Sequence, residues 1–539
     1  MRAQRGAMDL MRAQRLIRVC VIGAVGAFLA ACAPSAPSTQ NAAAGSSPSD
    51  TLTIATTTDV VNLNPMLGNS RTDSWVTDLM YPRLLTVSAN GSKEPNLATK
   101  WGYSADGKTG FFDLRNDFAW SDGTKLTATD VAYTINTIKT QKPKGNVVSG
   151  FMSNLDKATA VSPTRVELQL NKPDSIVVPE VGFWMTVVPE HIFSKQAKID
   201  DFANASDWVS AGPYRLSSIA KGQSYTLERV EPYPIAPNGK PTLAKVVFKV
   251  YPDVNTEILA LKKGDVDVIA NALPPAQVKD LKGTSGISVT EVPGLGFTHM
   301  TYNMKRKPMD NVLVRQALAH AVDYKSIRAV AVQGQAVTAN SSPITDSLKE
   351  FADPTLKEYT FDPQKSKALL AQAGVSNLKL TMIYSLQDPV IAAWSSMVKD
   401  SAAQAGITID LKGMDRNTYL AKTVAGDYDI YAGSFAIMDE PVSNMALQYL
   451  PDGAINYSQV NDPQLTSLIE QAQSTIDKGK QKSLVQQAAG YVNKNMIDNI
   501  MYVQNLNVAH SSKWDGFITR PSELLSIIDP ASLANVHQK

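Results

Sequence analysis

The sequence predicts an α/β protein built as two large lobes, and three observations point there. At 539 residues the chain is longer than one hydrophobic core normally organises. Leu378–Tyr384, a helical pattern from about Pro389 to Ala405, and Ile407–Leu411 read as strand, helix, strand, the pattern of parallel strands joined by a crossover. The composition, 44% hydrophobic and 19% charged, is that of an ordinary globular chain, so most of this length folds around a core.

The N-terminus reads as a leader. Arg2, Arg5, Arg12, Arg15 and Arg18 precede an apolar run from Val19 to Ala31 that is too short to span a bilayer comfortably. Residues 1–31 are therefore expected to be a signal peptide, with residues 32–50 a Ser/Pro/Ala tether. MRAQR stands at 1–5 and again at 11–15, which makes Met11 an alternative start. The leader holds five arginines against Asp9 alone, so its removal turns the formal +2 into about −2. No basic field is left to attract nucleic acid. The two cysteines, Cys20 and Cys32, both lie in this region. Residues beyond it have no disulfide, no thiol nucleophile and no cysteine metal site.

The elements of the globular part follow in order. Thr51–Ala55 alternates as a first strand, and Ser74–Leu85 reads as a helix. From Glu94 to Thr140, turns at Ser104–Gly107 and Trp120–Gly123 flank the strand Phe111–Arg115. A helix follows, capped by Thr127 or Thr129, with Val131, Ile135 and Ile138 on one face. Val166–Leu170 is a strand, Val187–Ile192 starts a short helix, and Tyr214–Ser218 with Ser224–Arg229 forms a hairpin. Lys245–Tyr251 is a strand, Asn255–Lys263 a helix stopped by Gly264, and Asp265–Ile269 a buried strand. Asp310 is placed to cap a helix carrying Val314, Leu318 and Val322. Asp362-Pro363 and Asp462-Pro463 each put a cap before a proline at the first helical position. Asp427–Ser434 and Met501–Asn505 complete the strands.

Several of these landmarks carry a family resemblance: Glu94-Pro95…Trp101, Ser104…Asp106-Gly107, Leu114-Arg115…Trp120-Ser-Asp-Gly123, Asp130-Val131 and Gly212-Pro-Tyr214. Further on come Lys240-Pro241…Phe248, Ala260-Leu261…Gly264-Asp265…Asp267, Val314–Leu318…Asp323 and Asp362-Pro363…Leu370. In this order they resemble the dipeptide and oligopeptide class of extracytoplasmic solute-binding proteins, family 5, which feed ABC importers. Leu29-Ala-Ala-Cys32 resembles the lipobox of bacterial lipoproteins, which implies cleavage before Cys32 and its diacylglycerylation; the competing reading is an ordinary secretory leader with a chance cysteine.

The resemblance implies a two-lobed periplasmic-binding-protein-like fold of type II, in the large cluster with an extra subdomain in lobe I. Lobe I would take residues 51–300 with 506–539, and lobe II 301–505, with a hinge near Met300–Asn303 and Tyr502–Asn505. It also implies a ligand held between the lobes as an extended strand, paired through its backbone. Carried over by position, the ligand-binding segments are Asn69-Ser70-Arg71 in lobe I and Gly433-Ser434-Phe435 in lobe II, with Tyr502 by the hinge. Gly433 reads equally as a strand glycine needed for packing. Family members that take peptides carry an Asp just after the lobe II segment, for the ligand's α-ammonium. Here Ile437 stands at that place, and Asp439, two residues on, is either a substitute or a solvated loop acid.

No catalytic set accompanies these features, and the chain is expected not to be an enzyme. G-x-S-x-G, H-E-x-x-H and P-loop patterns are missing from the sequence. Ser396–Lys399 and Lys108–Gly110 match penicillin-binding motifs only in reversed order. His191, His299, His320, His510 and His537 lack ligand spacing. His320 reads as structural, His299 and His510 as candidates to face the cleft, and Trp184, Trp394 and Tyr419 as candidate pocket walls. The expected partners are a peptide, permease and ATPase subunits, and a membrane reached through the lipid only. A monomer is expected, with no cofactor, no metal and no nucleic acid. Two alternatives stay open: the same fold with an opine, sugar, metal chelate or haem, and an envelope lipoprotein without a transport role.

Overall fold

The computed structural model describes residues 50–68 and 70–539; the leader, Cys32 and Asn69 lie outside them. The chain enters through β1 (Thr51–Thr56) and α1 (Arg71–Asp78). β2 (Leu85–Val87) and β3 (Lys93–Pro95) form a small hairpin. β4 (Ala98–Tyr103), β5 (Thr109–Leu114), α2 (Ala128–Gln141), β6 (Leu155–Ser162) and β7 (Arg165–Leu170) build a separate antiparallel sheet in the order β4-β5-β7-β6. Thr127 caps α2 through a reciprocal capping box with Asp130. α3 (Val177–Trp184) and α4 (Glu190–Phe193) lead to β8 (Tyr214–Ala220), β9 (Ser224–Arg229) and β10 (Lys245–Val250). α5 (Val254–Lys263), β11 (Val268–Ile269), α6 (Pro275–Lys282) and β12 (Ile287–Pro293) follow.

The second half opens with β13 (Phe297–Tyr302), α7 (Val312–His320), α8 (Tyr324–Val330) and β14 (Ala336–Val337). α9 (Pro363–Gln372) precedes β15 (Lys379–Ser385), α10 (Pro389–Gln404), β16 (Thr408–Met414), α11 (Arg416–Ala425) and β17 (Ile430–Phe435). Then come α12 (Pro441–Tyr449), α13 (Pro463–Ser474), α14 (Lys478–Lys494) and β18 (Asp498–Ser511).

The main sheet runs β16-β15-β17-β13-β18-β11-β1-β10-β9-β8. β15 is parallel to β16 and β17, as the strand–helix–strand pattern requires, and β1 is parallel to β10 and β11. β18 joins the two halves. Its residues Asp498–Tyr502 pair with β13, and Asn505–Ser511 pair with β12. Gly294-Leu295-Gly296 links β12 to β13 beside it, where a Cβ on Gly296 would stand 1.8 Å from the Phe435 carbonyl oxygen.

Separate cores lie under the two halves. One gathers β1, β8–β10, α1, α2 and the small sheet; the other gathers β13, β15–β17 and α7–α10. A third cluster sets Val87, Ile176, Phe183 and Leu524 against Met445, Tyr449, Leu484 and Val485 of α12 and α14.

Three expectations change. The helix expected at Ser74–Leu85 runs from Arg71 to Asp78, because Ser70 caps it and Pro82 disfavours helix at the residue before it; Leu85 begins a strand. α7 is capped by Asn311, whose side chain accepts the Leu313 N–H at 2.9 Å, and not by Asp310. The strand seen at Met501–Asn505 is the middle of one 14-residue strand. Asp362 and Asp462 cap α9 and α13, and Gly264 ends α5 in the left-handed conformation, as the sequence indicated.

Candidate functional site

At the end of β17 the backbone changes its neighbours. Ile430 and Tyr431 pair with Met382 and Ile383 of β15, whereas residues 432–435 pair with β13 alone among the described strands. Gly433 lies opposite His299, and a Cβ there would stand 2.2 Å from the Tyr431 hydroxyl. Tyr431 cannot yield easily. Its ring stacks on Tyr419 (5.5 Å, 22°) and touches Tyr457 at 4.8 Å, and Tyr419 donates its hydroxyl to the Ala432 carbonyl. Packing therefore suffices to explain Gly433. Ser434 is exposed, and Phe435 is half-buried against Tyr457, Phe297 and His299.

His299 is fixed from behind. Its Nδ1 lies 2.9 and 3.0 Å from the Asp498 carboxylate, which also accepts Thr301 Oγ1 at 2.5 Å and the Tyr449 hydroxyl at 3.1 Å. The His299 Nε2 is buried without a partner, so this side chain does not face an open cleft. Tyr449 is held well above its ordinary range, by burial first and by the Asp498 charge second. His320 Nδ1 lies 2.8 Å from the Thr360 carbonyl, a structural contact, and His510 packs on Phe517.

Beyond Phe435 the chain turns through Ile437 to a buried charge cluster. Asp439 pairs with Lys93 of β3, and Lys93 also lies 4.3 Å from the centroid of the Phe183 ring. Glu440 caps α12 by accepting the Ser443 N–H at 2.6 Å. Burial, only partly offset by that bond and by Lys93, pushes its carboxyl up to about 7. Glu180 of α3 is buried with its Oε2 unpartnered; burial and then the Asp439 charge raise it well above the carboxylate range. A cavity of about 590 Å³ opens beside this cluster, bounded by Lys93, Trp101 and Tyr103 on one side and by Asp439, Pro441 and Gln481 on the other. Lys93 and Glu180 escaped sequence reasoning, although a single carboxylate inside the apolar run Val177–Trp184 is itself a signal.

The remaining sequence candidates are placed as follows. Ser70 accepts the Asp73 N–H at 3.2 Å while Asp73 accepts the Ser70 N–H at 3.0 Å, so its side chain serves α1. Arg71 reaches Glu523 at 3.2 Å, both partly exposed, a pair that contributes roughly 0.2–1 kcal/mol. Among the described residues neither is bonded to β17. Tyr502 is buried in the second core opposite Thr298, and Trp394 is buried in that core, so Trp394 walls no pocket. Trp184 is half-buried, and Tyr419 underlies Tyr431.

Two half-sheets bridged by β12–β13 and β18, with an added antiparallel sheet, constitute an α/β two-lobed binding-protein fold. The ABC transporter substrate-binding protein CtaP of Listeria monocytogenes has this fold, with a TM-score of 0.82 at 24% identity over 91% of this chain and 100% of that one. The A.tumefacien R10 protein AgaA, solved with agropinic acid, matches with a TM-score of 0.71 at 24% identity, covering 91% and 99%. The model of bacterial extracellular solute-binding proteins, family 5 (middle), matches residues 93–456, and the chain belongs to that family. The probable D,D-dipeptide-binding periplasmic protein DdpA of Escherichia coli (strain K12) is 27% identical over 498 residues, 89% of this chain and 93% of its own length. These relatives are binding proteins. No helix among the described residues is long and apolar enough to cross a membrane.

Proposed function

We propose that this chain is the extracytoplasmic receptor of an ABC importer. In this reading it captures a di- or oligopeptide in extended form and hands it to a permease driven by ATPase subunits. Lobe I comprises residues 51–300 with 506–539, lobe II comprises 301–505, and Cys32 carries the lipid that holds the receptor at the membrane. The observation that supports a peptide best is the loss of β15 as a neighbour after Tyr431. Among the described strands, backbone groups of Gly433–Phe435 then have a neighbour on one side only, and a ligand backbone is the natural complement to such an edge. Asn69, Ser70 and Arg71 supply the facing segment from lobe I, and Tyr502 lies in the strand about which the lobes turn. Contacts made only when the lobes meet shift the population toward the closed form.

Native mass spectrometry of the purified protein, followed by calorimetry with di-, tri- and tetrapeptides, tests this. One peptide bound per chain is the expected result. If no peptide co-purifies or binds, the reading yields to a second one, the same cleft taking a non-peptide solute such as an opine. Two observations favour that second reading. Ile437 occupies the place of the ammonium partner, and Asp439 already holds Lys93, so a free amino terminus reaches Asp439 only by displacing an internal ammonium.

A further inference from the structure

The charge cluster beside β17 is unbalanced as well as buried. Asp439, Glu440 and Glu180 are 5%, 7% and 2% exposed, and Lys93 is the cation paired with Asp439. It also lies where the two halves of the molecule meet. Lys93 and Glu180 come from the β2–β3 hairpin and α3, while Asp439 and Glu440 come from the loop before α12. Around it, the third hydrophobic cluster closes the same interface, and Ser175 donates its N–H to the Gln473 carbonyl at 2.8 Å and its hydroxyl to the Ala472 carbonyl at 3.3 Å.

Several other charges nearby are already paired. Arg83, against Phe183, donates from its Nη2 to both Asp78 carboxylate oxygens, at 2.9 and 2.8 Å. Asp174 accepts Asn154 and the Ile176 N–H, and Glu94 turns toward Arg520 at 3.7 Å. Tyr103 accepts the Val178 N–H. Lys100, Lys478 and Glu350 stand at the rim of the neighbouring cavity. One ammonium neutralises one carboxylate, and burying two further ionised carboxylates without a counter-charge carries a penalty of several kcal/mol each. The interface is therefore neutral only when Glu180 and Glu440 carry protons.

We propose that Lys93, Asp439, Glu440 and Glu180 form a proton-linked latch between the two lobes, so that closure takes up protons and a rise in pH toward neutrality loosens it. This rests on the lobe assignment proposed above, and it needs no particular ligand. The raised carboxyls of Glu180 and Glu440 agree with it, since a group that binds its proton more tightly in the closed form favours closure fully below its ordinary value. That advantage is lost as pH rises to the raised value, beyond which the group adds no further slope. A solute captured on an acidified side of the membrane would be held more tightly than at higher pH.

Amide hydrogen exchange of the full processed chain tests the latch, with rates corrected for intrinsic base catalysis. Between about pH 5 and about pH 7, protection of the amides of Lys93, Glu94 and residues 442–444 should fall by up to about tenfold per pH unit for each proton linked, while α10 serves as an internal reference. Glu180→Gln, which keeps the shape and removes the charge, should flatten that dependence. Lys93→Met should lower protection at both pH values, since Asp439 then lacks its partner. Protection that does not change with pH in the parent chain, or a slope left intact by Glu180→Gln, overturns the proposal. Failure of the peptide reading would appear in calorimetry and not here, so the two are separable.

Discussion

Glu257 shows how one side chain sets a pH dependence. It lies on α5, fully buried, with neither carboxylate oxygen partnered. Burial, and secondarily the Asp253 carboxylate one turn earlier, push it up to about 8. The folded chain thus holds a proton that the unfolded chain releases near its ordinary value of about 4.3. Stability from this group is complete below that value, declines as pH rises toward about 8, and is flat above. Glu257→Gln should therefore leave stability unchanged at about pH 4 and raise it by roughly 2–4 kcal/mol near pH 8.5, read from urea midpoints at constant m-value. A gain independent of pH would show that charge is not the cause. At this scale the sequence was informative where a residue acts locally, as with the capping aspartates 362 and 462. It was silent where a residue acts through burial: the partner of Asp439, Lys93, lies 346 positions away.

Among the elements, the crossing strands carry the strictest demands. Gly296 lets β13 leave its glycine link directly against β17, with the Phe435 carbonyl oxygen 1.8 Å and the Ala436 carbonyl carbon 2.6 Å from where a Cβ would stand. Backbone atoms cannot rotate away as a side chain can. Gly296→Ala should cost roughly 2–4 kcal/mol and displace the end of β17, the edge proposed above to pair with the ligand. Gly150→Ala, with nothing within 4 Å of the added carbon, is the control and should stay within about 0.5 kcal/mol of the parent. Equal urea midpoints for both variants would contradict the close approach. Local pattern identified β15, α10, β16 and the β8–β9 hairpin because their periodicity and turns are written in adjacent residues. It shortened β18, since Gln504, Asn505 and Asn507 interrupt the apolar alternation just where the strand exchanges β13 for β12. It lengthened α1 because Leu79, Met80, Tyr81, Leu84 and Leu85 carry the apolar pattern on past Asp78, where the helix ends ahead of Pro82.

For the whole molecule, the family was legible from ordered short landmarks, and the fold followed from it. The ligand was not, because the residues that would choose it depart from the family pattern at Ile437 and are paired internally at Asp439. Attachment to the membrane belongs to this scale too. With residues 1–31 removed the formal charge is about −2, so anionic lipid offers no attraction, and the described helices include none able to span a bilayer. A diacylglyceryl group on Cys32 would supply two chains, enough for stable anchoring where one chain binds only marginally. Cells fed a labelled fatty acid should incorporate label into the parent protein, which should sediment with membranes and be released by detergent. Cys32→Ser should abolish that label. The label is the decisive readout, because an uncleaved leader can itself retain a chain at the membrane, whereas only the Cys32 sulfur accepts the lipid in this reading. Label persisting in Cys32→Ser would place the attachment elsewhere, and an unlabelled parent protein cut near Ala31 would make the leader an ordinary secretory one.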